Sequence, residues 1–213
     1  MKITLLTDNP KSWIIPFVSE FKNFLEEESY EVSHVFNSSD VTPSDVLFIL
    51  SCEKLVPPAV LSLNCNNIVV HPSALPKRRG WSPLTWQVLE GRDVIPVSLF
   101  EAKEGVDSGP IYLQENIKLN GSELNNEMKN KQGQITLKLL KEYLKNRPTL
   151  VPTEQEGEPT FCGKLKPKDS EIDINASIKS QFNKLRVVDN ERYPAFFYNK
   201  GTKYTLKIYK ENE

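Results

Sequence analysis

The sequence is poor in the residues that announce metal, disulfide or imidazole chemistry. Three cysteines, Cys52, Cys65 and Cys162, stand in 213 residues without Cys-x-x-Cys spacing. Neither a disulfide framework nor a zinc site is expected, and the thiols read as buried side chains. Only two histidines occur, His34 and His71. His34 lies inside the strand-like run 30–36 and reads as structural, which leaves His71 as the imidazole to consider. No apolar run approaches the roughly 18 residues of a membrane span, and Met1-Lys-Ile-Thr-Leu-Leu-Thr7 is too short for a signal peptide. A cytoplasmic protein with no membrane partner is the expectation. Strong charge of one sign is also missing: 27 Lys and Arg face 28 Asp and Glu, a formal net charge of −1. That balance excludes an electrostatic nucleic-acid binder, so any partner must be recognised locally.

What is present is an ordinary globular composition, 38% hydrophobic and 26% charged, at a length that suits one domain with a short appendage. Short β-branched runs near 2–7, 30–36, 45–51, 67–71, 95–102 and 110–118 alternate with helical patterns near 13–28, 57–63, 82–90 and 122–146. This alternation predicts an α/β fold, Rossmann-like, with a mainly parallel twisted sheet flanked by helices. After Pro148 the pattern turns loop-like, which places a boundary near residue 150 between a core, 1–150, and an appendage, 151–213. In the appendage the spacing predicts a helix over 173–187. Phe196 to Tyr209 reads as a β-hairpin whose Asn199-Lys-Gly201 supplies the turn.

Two stretches carry the chemistry: Asn67-Ile-Val-Val-His-Pro-Ser-Ala-Leu-Pro-Lys-Arg-Arg-Gly-Trp-Ser-Pro83 and Glu104-Gly-Val-Asp-Ser-Gly-Pro-Ile111. In an open α/β sheet, ligands bind at the carboxyl ends of strands, and His71 falls where the fourth strand should end. The segments His71-Pro-Ser-Ala-Leu-Pro76, Arg79-Gly-Trp-Ser-Pro83 and Asp107-Ser-Gly109 occur in an order and at an interval that resembles the folate-dependent formyltransferases. The resemblance covers roughly residues 1–145 and, more weakly, 160–209.

That resemblance implies 10-formyltetrahydrofolate as formyl donor and His71 with Asp107 as the catalytic pair. The residue types suit the chemistry. When a neutral amine attacks a formyl carbon, charge develops on oxygen and protons must be moved, work for a positioned imidazole with a carboxylate to orient it. The resemblance also places the folate ring against the backbone of Cys52, Lys54 and Leu55 and of Lys103, Glu104, Gly105 and Val106, with Pro76 and Gly80 shaping the mouth. Acceptor contacts are expected from Asn9, Lys11, Trp13, Ser73, Trp81 and Arg186, and the cluster Arg186, Asp189, Asn190 and Arg192 is a candidate to face the acceptor. One position departs from the family: the Asn expected two residues before the histidine is Val69, which has no hydrogen-bond donor. Asn67 lies too far along the strand to substitute, and Ser73, a backbone N–H or water are the candidates.

Within the family, methionyl-tRNA formyltransferases are more basic and add a larger C-terminal domain. Glycinamide-ribonucleotide transformylases have a Gly-Ser-rich phosphate loop where this chain has Asp8-Asn-Pro-Lys-Ser-Trp13. The resemblance therefore points to the short sugar N-formyltransferases of bacterial surface-glycan pathways, the pseudaminic-acid type included. The acceptor is then a small amino sugar, nucleotide-linked, with a homodimer left open. The alternatives are another small amine as acceptor, or a non-catalytic folate- or sugar-binding module, because Val69 interrupts the expected triad.

Overall fold

The computed structural model describes residues 1–211. The chain runs β1 (Lys2–Leu6), α1 (Ile15–Glu27), β2 (Glu31–Val35), β3 (Ser44–Ile49), α2 (Pro58–Leu61), β4 (Asn64–His71), β5 (Arg79–Gly80), α3 (Pro83–Leu89), β6 (Val94–Glu101), β7 (Ile111–Lys118), α4 (Asn125–Asn146), β8 (Phe161–Cys162), α5 (Phe182–Val187), β9 (Ala195–Asn199) and β10 (Thr202–Leu206). Six strands form one sheet in the order β2-β1-β3-β4-β6-β7. The first four are mutually parallel, and β6 and β7 run antiparallel to their neighbours. The α/β class expected from the alternating pattern is the class observed.

Strand alternation sorts the core into two layers. Ile3, Leu5, Val46, Phe48 and Ile68 pack with Val18, Phe21 and Leu25 of α1 and Leu139, Leu140 and Tyr143 of α4. Leu6, Leu47 and Ile49 face the opposite side, beside Val60 and Leu61 of α2 and Val69 of β4. Helix α1 begins at a proline in its first turn, which cannot use a backbone donor there, and its buried Val18, Phe21 and Leu25 follow helical spacing. Helix α4 starts where the Glu127 carboxylate accepts from Leu124 N at 2.8 Å. It ends two residues before Pro148, and the Arg147 side chain reaches Asn66 Oδ1 at 2.9 Å.

A smaller cluster, Ile172, Leu185, Val188 and Ala195, forms the base of the hairpin β9–β10. The helix expected over 173–187 is shorter, Phe182–Val187 preceded by a 3₁₀ turn. Asp173 Oδ1 accepts from Asn175 N at 2.8 Å, and Gln181 clasps Asp173 from both sides, accepting from its N at 3.0 Å and donating to its O at 2.9 Å. These local bonds satisfy the backbone without a helix. Cys65 is exposed on β4, not buried as the composition suggests, while Cys52 and Cys162 are half-buried. No helix among the described residues is long and apolar enough to cross a membrane.

Glu123 ties the small cluster to the large one. Its carboxylate accepts from Asn120 N at 2.9 Å, Gly121 N at 3.1 Å and Lys131 Nζ at 2.6 Å, and lies 3.7 Å from the buried Arg186 guanidinium. Burial would raise its pKa, but the Lys131 and Asn120 contacts outweigh burial and hold it at about 2, below the ordinary 4.5. Because the folded-state value is depressed, the stabilisation is complete above about pH 4.5 and is lost as pH falls towards about 2. Urea unfolding of wild type and Glu123→Gln over that interval should show wild type losing about 3 kcal/mol more than the variant as pH drops, the size of such a shift.

Candidate active site

Strand β4 ends at His71, paired with Ser98 of β6. The turn that follows is held by Gln87 Nε2 donating to Pro72 O at 2.8 Å and the Ser98 hydroxyl donating to Ser73 O at 2.7 Å. The imidazole of His71, a residue 6% exposed, has Nε2 at 2.8 Å from Arg78 O. A carbonyl can only accept, so Nε2 carries a proton, and Nδ1 is the nitrogen left to exchange one. Nδ1 lies 3.6 Å from Asp107 Oδ2. The same carboxylate oxygen accepts from Gly80 N at 2.7 Å.

Two glycines explain their places in the motifs. Gly80 has φ +100°, and a Cβ there would stand 2.5 Å from Cys162 O. A Cβ on Gly109 would stand 1.7 Å from Glu101 O. The loop bearing Asp107 can therefore close against β6 only with glycine at 109. Asp107 itself adopts φ +48°, a conformation sparsely used by non-glycine residues.

His71 and Asp107 open onto a cleft of about 730 Å³ at the carboxyl ends of β1, β3 and β4. Of the residues singled out in the sequence, Cys52, Leu55, Gly80, Lys103, Glu104, Gly105, Val106, Trp13 and Trp81 line it, as does Val69. Trp81 spans the mouth, donating from Nε1 to Glu53 O at 3.2 Å beneath the Lys164 ammonium, 5.0 Å from the ring centroid. Burial first, and the nearby Asp8 second, push the Cys52 thiol up to about 12, so it is a neutral wall group.

Six expected residues lie elsewhere. Lys54 is held outside the wall by its backbone N, which donates to Asp8 Oδ2 at 2.8 Å. Asn9 and Lys11 form a local turn, Lys11 N donating to Asn9 Oδ1 at 2.9 Å. Pro76 and Ser73 are buried behind the site, Ser73 fully. Arg186, expected to meet the acceptor, is 1% exposed and faces the buried Glu123 carboxylate and, on its other side, the exposed Asp93. Its neighbour Asn190 binds Ile208 O at 2.6 Å, whereas Asp189 and Arg192 do line the cleft. Asn67 cannot stand in for the Asn missing at Val69, because its amide donates to Leu61 O at 3.0 Å.

The sequence reading missed two contributions. Asp8, just after β1, accepts from Glu53 N and Lys54 N at 2.8 Å each and so fixes the loop after β3. Asn125, Lys129, Gln132 and Thr136 of α4 line the far side of the cleft. Their spacing puts four polar side chains on one helix face, a signal present in the sequence.

A sequence model described as formyl transferase matches residues 7–144. Methionyl-tRNA formyltransferase of Thermodesulfovibrio yellowstonii is 30% identical over 143 residues, 65% of this chain and 46% of that protein. The chain thus spans about half the length of the curated relatives it matches. Among solved structures, methionyl-tRNA formyltransferase from Clostridium thermocellum superposes with a TM-score of 0.85 at 24% identity, over 100% of this chain and 94% of that one. A sugar N-formyltransferase from Shewanella sp. gives 0.77 at 14% identity, over 100% and 99% of the two chains. HypX from Aquifex aeolicus in complex with tetrahydrofolic acid gives 0.79 at 18% identity, over 98% of this chain and 37% of that one. The family match spans most of the core and includes both segments that build the cleft, so the chain belongs to the formyl transferase family.

Proposed function

We propose that this chain transfers a formyl group from 10-formyltetrahydrofolate to the amine of a small amino sugar. The observation that carries the reading is the approach of His71 Nδ1 to Asp107 Oδ2, 3.6 Å apart in a cleft with a backbone-rich loop on one side. The residues fit a reduced folate: Ile49, Val56, Val69 and Phe100 offer apolar walls to a flat ring, and loop 103–107 offers peptide groups to its polar edge. When bound, the folate supplies a formyl group activated on nitrogen.

The chain's own residues divide the remaining work. His71 Nδ1 accepts the proton that the attacking amine releases and can return it to the donor nitrogen as that nitrogen's bond to the formyl carbon breaks, while Nε2 stays tied to Arg78 O. Asp107 Oδ2 faces the imidazolium so formed, and Gly80 N–H keeps that oxygen in place. Trp81 and the apolar walls limit the access of bulk water to the reacting centre. The residues of 1–150 form the catalytic core in this reading, and later residues such as Lys164 and Arg192 complete the acceptor side of the cleft.

Charge supports a small acceptor. The cleft is lined by five basic side chains, Lys103, Lys129, Lys164, Lys166 and Arg192, and five acidic ones, Glu53, Glu104, Asp107, Asp169 and Asp189. Such a balance gives no field to gather a polyanion. The sugar N-formyltransferase among the structural neighbours agrees with this, and a nucleotide-linked amino sugar of a surface-glycan pathway is the acceptor proposed. A second reading, methionyl-tRNA as acceptor, is favoured by the curated relatives. Assay with 10-formyltetrahydrofolate against nucleotide-linked amino sugars and methionyl-tRNA separates the two. Turnover on a sugar is expected, and turnover on the tRNA alone overturns the sugar assignment.

His71→Ala and Asp107→Ala should each lower turnover by at least about 10²-fold without unfolding the chain, the usual scale for acid–base groups. Near-normal turnover in either variant removes that residue from the mechanism. Val69→Asn tests the departure from the family. With Asn67 committed to Leu61 O and Ser73 buried, a backbone N–H or water is left to meet charge on the formyl oxygen. The variant should then gain less than about threefold, whereas an unmet oxyanion would reward the new amide by about tenfold or more.

A further inference from the structure

The stretch after α4 that reads as a loop in the sequence is a strap across the back of the site. Thr153 exchanges two backbone bonds with Ile111, each 2.8 Å, just beyond the Asp107 loop. Farther on, Arg79 N donates to Thr160 O at 2.9 Å, and Trp81 N donates to Cys162 O at 3.1 Å. Between these anchors one side chain touches both halves of the site. Gln155 Nε2 donates to Asp107 O at 2.9 Å and to Gly109 O at 2.7 Å, and Gln155 Oε1 accepts from Arg79 Nη2 at 2.6 Å.

The orientation of this amide follows from its partners. Two carbonyls require donors and a guanidinium requires an acceptor, so only one of the two flips satisfies all three bonds. No other hydrogen bond to the carbonyl of Asp107 or Gly109 is present among the described residues. Asp107 sits at φ +48°, and a non-glycine residue keeps such a conformation only where its surroundings over-determine it. Arg79, the other partner, directly precedes Gly80, whose N–H holds the Asp107 carboxylate. Gln155 thus fixes the main chain of Asp107 relative to the residue that fixes its side chain.

We propose that Gln155 is a positioning residue for the reaction, acting through the Asp107 backbone to set the distance between Asp107 and His71. Gln155 does not line the cleft, so it has no substrate contact to lose. The proposal rests on the reading of Asp107 as a group of the reacting centre. Removing the two N–H donors lets the 103–109 loop relax by a fraction of an ångström to an ångström, and a displacement of about 1 Å can cost about 10² in rate.

Three variants test this beside wild type: Gln155→Ala, Gln155→Glu and the exposed neighbour Glu156→Ala. Gln155→Glu keeps an acceptor for Arg79 but presents a carboxylate, which has no donor, to two carbonyls. Both Gln155 variants should lower kcat at least about tenfold, with KM for donor and acceptor changed by less than about threefold and Tm held within a few degrees. Glu156→Ala should match wild type. If Gln155→Ala fails to fold, Gln155→Glu alone decides. Wild-type kcat in Gln155→Glu, or a loss shared equally by Glu156→Ala, overturns the proposal. Normal turnover in Asp107→Ala sinks the reading of the site itself, whereas an impaired Asp107→Ala beside a normal Gln155→Glu sinks only the role of Gln155. If no acceptor tried supports turnover, amide hydrogen exchange decides. Faster exchange over 79–81 and 103–109 in Gln155→Glu supports the clamp, and unchanged exchange rejects it.

Discussion

The hydrogen bond from Gly80 N to Asp107 Oδ2, 2.7 Å long, is the contact on which the site depends. It joins two loops that leave different strands, one following β4 and one following β6, and it brings the Asp107 carboxylate to His71. Much of the surrounding structure makes that bond possible. Gly80 accepts a left-handed φ that lets β5 pair with β8. Gly109 lets the Asp107 loop press on Glu101 O. Arg78 O takes the far nitrogen of the imidazole, so the ring cannot turn its other face to the cleft. Each constraint is a backbone group in a fixed place, which explains why the motifs are rich in Gly and Pro as well as in titratable residues.

The sheet supplies the frame. Four parallel strands deliver their carboxyl ends to one edge; β6 runs back from that edge, Ser98 beside His71, and the 103–109 loop after it turns back so that Asp107 reaches His71. Helices α1 and α4 cover one face through Phe21, Phe48 and Tyr143, whose rings meet edge-on with centroids 5.4 and 6.1 Å apart. Such aromatic contacts stiffen the layer beneath the cleft. The polar face of α4 then meets the cleft directly, so one helix serves both core and site.

The fold was readable because its cues are local: alternating apolar runs for strands, helical spacing in α1 and α4, and the hairpin turn at Asn199-Lys-Gly201. His71 and Asp107 stood out because their flanking Pro and Gly residues form ordered motifs. What escaped the sequence depends on contacts between distant positions. Nothing near Arg186 shows that Glu123, far back in the chain, will bury it. Asp8 looks like an ordinary loop residue until the loop after β3 folds onto it. The run 173–187 has helical composition, yet Asp173 and Gln181 close on each other instead. Gln155 is one polar residue in a loop-like stretch, and its partners at 79, 107 and 109 become neighbours only in the folded chain.

A crystal structure of the chain with a reduced folate bound tests the central claim most directly, because the mechanism requires donor, imidazole and carboxylate to share one point in space. The account predicts the folate ring against the 103–107 backbone, with its one-carbon-bearing nitrogen within about 4 Å of the His71 ring, near the separation reacting groups need. A folate seated away from His71 and Asp107, with the cleft between them closed to it, would contradict the account.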